Sequence, residues 1–245
     1  MAVTTNDLIS NLVHIGRPTF KWNPKMKRYI AGQSKQIHVL DVYQVQDLMT
    51  AGFDFIRRAR KEGKSFLLVG TKFQVSDLVE QAGKDLTIPY VHHKWLAGLL
   101  TNFETVKKRI ETLRSIEEMQ ESGEIEKYTK KERLRLGKER ANLLLQLGGV
   151  RDMERLPDVM IIMDVNKEHI ALSEANKLGI TVVGVLNTNA NPDGVAYPIP
   201  ANDTSRKSLQ YVLSGIREAL SSKPEKATKA PVEEAAEDGA EMVEA

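Results

Sequence analysis

Short apolar runs rich in β-branched residues recur along this chain at Ile37 to Leu40, Phe66 to Val69, Ile88 to Val91, Val159 to Met163 and Ile180 to Leu186. Most are followed by segments whose apolar residues fall three and four apart. Val45, Leu48, Met49, Phe53 and Ile56 follow the first run, and Val75, Leu78, Val79 and Ala82 the second. Ile170, Leu172, Ala175 and Leu178 follow the fourth, and Leu209, Val212, Leu213, Ile216 and Leu220 close the pattern. A short continuous apolar run fits a strand covered on both faces, and the longer spacing fits a helix with one apolar stripe. The alternation therefore predicts an α/β fold, a doubly wound parallel sheet of about five strands.

One interval departs from it. Between Thr101 and Gly148 no strand pattern occurs, and nine acids and eleven bases crowd the stretch from Glu104 to Arg140. Val106, Ile110, Leu113 and Ile116 mark one helix, and Leu134, Leu136, Leu143, Leu144 and Leu147 a second, with Ser122-Gly123 as the break. Thr101-x-x-Glu104 and Thr129-x-x-Glu132 have the capping-box pattern. Narrow apolar stripes on charged helices predict an antiparallel helical hairpin over 102–148, inserted between the halves 1–101 and 149–220 of the sheet domain. An ordinary helix pair packed on the core is the plainer alternative.

Charge changes the picture more than composition does. The chain of 245 residues has a formal net charge of +2, but residues 221–245 carry −4 and residues 1–220 carry +6. The tail has no aromatic residue and two prolines, so it is expected to be disordered. Between Asp7 and Asp41 no acid occurs, while Arg17, Lys21, Lys25, Lys27, Arg28 and Lys35 do, interleaved with Phe20, Trp22 and Tyr29. Such a segment suits phosphates and stacked bases. Its plainer reading is a solvated loop with its aromatics in the core. There is no cysteine, which excludes thiolate chemistry and favours a reducing, cytoplasmic setting. No apolar stretch approaches the roughly 20 residues of a membrane span, so no membrane partner is expected.

Enzyme motifs fail one by one. Gly63-Lys64-Ser65 imitates a phosphate loop, but Arg58 stands where its first glycine belongs. No dinucleotide glycine pattern follows a strand, and no serine elbow accompanies the five scattered histidines. Asn189-x-Asn191-x-Asp193-Gly194 opens like a calcium loop, yet Pro200 replaces the twelfth-position glutamate. We therefore expect no catalytic residue, metal, cofactor or small-molecule substrate. The remaining enzyme reading is a phosphorylated ligand near Lys72 and Asp164, with Thr71-x-x-Gln74 capping the helix after the second strand. A second basic and aromatic cluster, His92-His93-Lys94-Trp95, stands just before the hairpin.

Several motifs in order carry a resemblance: Val13-His-Ile-Gly16 and Trp22-Asn-Pro-Lys-Met26, then Val69-Gly-Thr-Lys72, Trp95-Leu-Ala-Gly-Leu-Leu-Thr-Asn102, Leu147-Gly-Gly149, Leu156-Pro-Asp158 and Thr188-Asn-Ala-Asn-Pro-Asp-Gly194. From about residue 5 to residue 220 the chain resembles the bacterial and organellar small-subunit ribosomal protein S-two family. The resemblance implies a flavodoxin-like domain with an inserted coiled-coil hairpin, placed in the small ribosomal subunit of a bacterium or organelle. It implies a structural, non-enzymatic protein that contacts ribosomal RNA and neighbouring ribosomal proteins, among them the large OB-repeat protein that recruits messenger RNA. The RNA-binding residues expected from it and from the charge pattern are Arg17, Lys21, Trp22, Lys25, Lys27, Arg28, Lys72, Lys94, Trp95 and Asn102. The chain departs from the family pattern at Arg17, where histidine is usual, at Ala97, where glycine is usual, and at Asn187 and Asn191, where aspartate is common.

Overall fold

A computed structural model describes residues 2–221, so the expected disorder of the acidic tail lies outside the described residues apart from Ser221. A short helix α1 (Thr5–Ser10) precedes three antiparallel strands, β1 (Ile15–Pro18), β2 (Ile30–Ser34) and β3 (Ile37–Leu40), in the order β1-β3-β2. The run at Ile37 to Leu40 is thus not the first strand of the parallel sheet. Lys35 and Gln36 between β2 and β3 both take positive φ, 47° and 61°, and Ser34 pairs with Ile37 across them. That is the geometry of a two-residue hairpin, and it commits β3 to β2. Of the four residues of β3 only Leu40 is buried, and Ile37 is exposed.

The second sheet is parallel and has five strands: β4 (Phe66–Val69), β5 (Tyr90–Val91), β6 (Val159–Ile162), β7 (Thr181–Leu186) and β8 (Tyr197–Pro200). Their order is β5-β4-β6-β7-β8. Every residue of β4 and β6 is buried, so both faces of these strands are covered, as a parallel sheet requires. The expected number of strands is met with a different membership. β8 takes the place assigned to Ile37–Leu40. Its Pro198 and Pro200 donate no ladder bonds, which an edge strand paired on one side tolerates.

Helix α2 (Val42–Lys61) starts where the Asp41 carboxylate accepts from the Tyr43 and Gln44 amides, and it buries Val45, Met49, Phe53 and Ile56. It packs on β8 and on α7 (Arg206–Leu220), which also meets α3 (Ser76–Leu86). Helix α6 (His169–Lys177) lies against β7. The long pair is α4 (Phe103–Glu121) and α5 (Lys130–Leu147), which pack on each other across a connection turned by Gly123 at φ +75°. Phe103, Val106 and Ile110 of α4 and Leu147 of α5 belong to the main core. Leu113 and Ile116, on the same stripe, are buried outside it, while Leu134, Leu144 and Leu145 of α5 are exposed. The Thr129 and Glu132 capping box forms. The one expected at Thr101 does not, because that threonine is engaged elsewhere.

Its partner is Glu174 of α6. One carboxylate oxygen accepts from the Trp95 indole at 3.0 Å and the Gly98 amide at 2.8 Å. The other accepts from the amides of Leu100 and Thr101, at 3.1 and 3.2 Å, and from the Thr101 hydroxyl. Burial pushes this carboxyl up, but the five donors outweigh it and hold the group below its ordinary value. The loop that delivers the chain to α4 is therefore fixed by one acid. Glu174→Ala would leave a buried indole and three amides without their acceptor, at a cost of about 3 kcal/mol or more. We expect a fall in Tm of about 6 °C or more, and a Tm within a degree of the parent would contradict this role.

Candidate nucleic-acid interface

The basic segment is folded. Asn23 caps a 3-10 helix, Pro24–Tyr29, by accepting from the Lys25 amide at 3.0 Å. With three residues per turn, Met26 and Tyr29 share a face, and both are buried. Lys25, Lys27 and Arg28 consequently point to solvent. Of the aromatics, Tyr29 is a core residue with the Arg28 guanidinium 4.6 Å from its ring centre, whereas Trp22 is 37% and Phe20 78% exposed. The Trp22 ring tilts against His38 at 5.4 Å. The segment is seated on the loop after β7: the Asn23 amide donates to the Thr188 carbonyl, the Arg17 amide to the Thr188 hydroxyl, and Lys25 pairs with Asp193. Gly16 makes this seat possible, since a Cβ there would stand 2.7 Å from the Thr188 methyl.

Not all the expected RNA contacts share this surface. Lys72 turns inward. Its ammonium lies 2.8 Å from both Asp164 and Asp203, and the Arg17 guanidinium reaches Asp203 at 2.7 Å. Asn187 donates to the second oxygen of Asp203, whose side chain is 1% exposed. Burial raises the Asp203 carboxyl, yet its three side-chain donors overcome this and keep it below the usual range. Asp164 moves the other way, raised by burial and by the neighbouring Asp203 charge. Thr71 does not cap α3 as expected: it donates to Glu168, and the helix begins at Ser76. Trp95 is 7% exposed with its indole on Glu174. Lys94 and Asn102 are exposed, and Asn102 accepts from the Thr105 hydroxyl at 2.8 Å.

The position of the ion network matters. In the order β5-β4-β6-β7-β8 the chain reverses its direction of winding between β4 and β6. Ligands of doubly wound folds bind there, beyond the carboxyl ends of the strands. Here that place holds the protein's own Lys72, Asp164, Asp203, Thr71 and Glu168. Lys72, the cation on which the enzyme reading relies, is already shared by two carboxylates. Among the described residues no group of three or more acids and histidines is placed to hold a metal. None of their helices is long and apolar enough to cross a membrane.

Residues 8–222 match the family model described as Ribosomal protein S2. The chain belongs to that family. Its relatives include the small ribosomal subunit protein uS2 of Helicobacter hepaticus, 45% identical over 89% of this chain and 83% of the relative. Those of Wolinella succinogenes and Zymomonas mobilis are 45% and 44% identical, covering 80% and 86% of the relatives. The family is structural and not enzymatic, in keeping with a crevice closed by ion pairs.

Glu174 and Asp203 are the residues that sequence reading passed over. Glu174 has no motif around it. Asp203 follows a strand hidden by its prolines, and that strand was the available signal.

Asp203 supplies the pH test. Its carboxyl is depressed in the folded state, so the stability it contributes is present above about 3.8 and is lost as pH falls through the lower folded value. Asp203→Asn is expected to lose about 3 kcal/mol at pH 6, because the partly buried Arg17 and Lys72 lose their shared anion. The gap between variant and parent in urea unfolding should narrow below about pH 3.8. A gap that does not change with pH would refute the assignment.

Proposed function

We propose that the chain is a structural component of the small ribosomal subunit that binds ribosomal RNA through the 3-10 helix and its flanks. The outward Lys21, Lys25, Lys27 and Arg28 neutralise backbone phosphates, and Trp22 offers an exposed ring edge to a base or sugar. Lys94 and Asn102, at the foot of α4, make a second polar contact. Lys72, Arg17 and Trp95 are engaged by Asp203, Asp164 and Glu174 and serve the fold first. The observation that carries this reading is the division of labour in residues 24–29: the apolar side chains are sunk and the three cations are left in solvent.

The α4 and α5 pair acts in this reading as an antiparallel coiled-coil hairpin reaching a second surface of the subunit. The exposed Leu134, Leu144 and Leu145 provide apolar area for a neighbouring ribosomal protein, and the large OB-repeat protein that recruits messenger RNA is among the partners of the chain in this reading. The relatives are named as small-subunit ribosomal proteins, which supports a cytoplasmic, ribosome-bound existence for this chain.

Lys25→Glu combined with Arg28→Glu leaves Met26 and Tyr29 in place and reverses two outward charges. Incorporation into small subunits, followed on sucrose gradients, should drop severalfold. The slope of log affinity against log salt for small-subunit RNA should become shallower by about 2, at close to 0.9 per phosphate contact. Unaltered incorporation and slope would refute the role of this segment.

A further inference from the structure

A concavity of about 660 Å³ lies beside the basic segment, between α6 and the loop after β7. His169, Ser173 and Asn176 form one wall, spaced at four and three residues along one face of α6. Asn166 and Asn191 face it, Leu172 and Val165 supply apolar area, and Lys177 stands at the lip. In a chain with 33 acids, no carboxylate lines this space. Among the described residues, the side chains of Asn166, His169, Ser173 and Asn176 make no hydrogen bond to the protein. The loop passes close to Asn176 at Gly194, where φ is +78° and a Cβ would meet the amide nitrogen at 2.1 Å. The far rim joins the basic segment: the Asp193 amide donates to Asn191 at 3.1 Å, and the Asp193 carboxylate pairs with Lys25.

We propose that this cavity receives one unstacked nucleotide of the RNA whose backbone lies on Lys25 and its neighbours. The inference rests on the RNA-binding reading above and names a site that reading does not contain. Asparagine side chains offer a donor and an acceptor each, as the hydrogen-bonding edge of a base does. The imidazole of His169 can lie against a base, and Leu172 and Val165 can meet its apolar face. The volume falls within the ~300–1,000 Å³ range of pockets that enclose small organic ligands. A free nucleotide would bring its phosphate charge into a space with one lysine. A nucleotide within a strand leaves that charge on the basic segment outside.

The test uses the full chain bound to an in vitro transcript of small-subunit RNA, with filter binding at several salt concentrations and 2′-hydroxyl acylation of the RNA. Ser173 is exposed on α6, so Ser173→Trp fills the cavity from a solvent-facing position. It is expected to weaken binding about tenfold, the scale of one lost stacked base, with an unchanged salt slope. One unpaired nucleotide whose reactivity the parent protein alters should return to its free value. Asn166→Ala should affect the same nucleotide, and it decides the matter if thermal unfolding shows that Ser173→Trp is misfolded. If both variants match the parent in affinity and reactivity while Lys25→Glu plus Arg28→Glu weakens binding, the cavity proposal is overturned and the basic face stands. If that charge reversal also has no effect, the RNA-binding face falls and the cavity proposal with it.

Discussion

The Asp203 carboxylate, 1% exposed and shared by Arg17, Lys72 and Asn187, is the joint on which this molecule is organised. Each donor arrives from a different part of the chain: strand β1 of the small antiparallel sheet, the loop after β4 and the loop after β7. A buried carboxylate with no partners would be costly, and the two partly buried cations stand close enough to offset that cost. Their mutual satisfaction fixes the basic segment against the carboxyl end of the parallel sheet. It also fills the crevice that a doubly wound enzyme would leave open. One interaction thereby positions the outward cations and removes the place where chemistry would occur.

The charge pattern was readable in the sequence because electrostatics along an acid-free stretch does not depend on fold. The destination of each cation was not. Arg17 and Lys72 count the same as Lys25 and Arg28 in any composition, yet the first two are consumed by Asp203 and the second two face solvent. What separates them is a partner 131 or 186 residues away that is itself buried, whereas Asp193, the partner of Lys25, is exposed, and no local window contains that difference. Tyr29 and Trp22 divide in the same way. Period three in the 3-10 helix buries the tyrosine, while the tryptophan lies just before that helix.

The sheet was legible to a similar depth. Phe66 to Val69 and Val159 to Ile162 became strands because a run buried on both faces has little alternative. Ile37 to Leu40 looked the same in sequence but was drawn into a hairpin by a turn of Lys35 and Gln36, residues that seldom announce positive φ. Tyr197 to Pro200 was hidden twice, by its prolines and by a connection from β7 that contains no helix. Its edge position is what makes both tolerable. Glu174 was hidden because a helix acid ordinarily faces water, and only the returning loop of Trp95 to Thr101 gives it five donors.

The pairing of Arg17 with Asp203 also sets an order of events during synthesis. These residues are 186 positions apart, so the amino-terminal region leaves the translating ribosome long before its counter-ion exists. Thr188 and Asp164, the other partner of Lys72, emerge before the last strand, but Arg17 lacks its counter-ion until that strand and the residues after it have followed. The basic surface is thus completed only after the last strand, just before α7 is made. An unfinished chain presents its positive charge without the shape that orients it, and the geometry of the basic surface exists only once Asp203 has joined it.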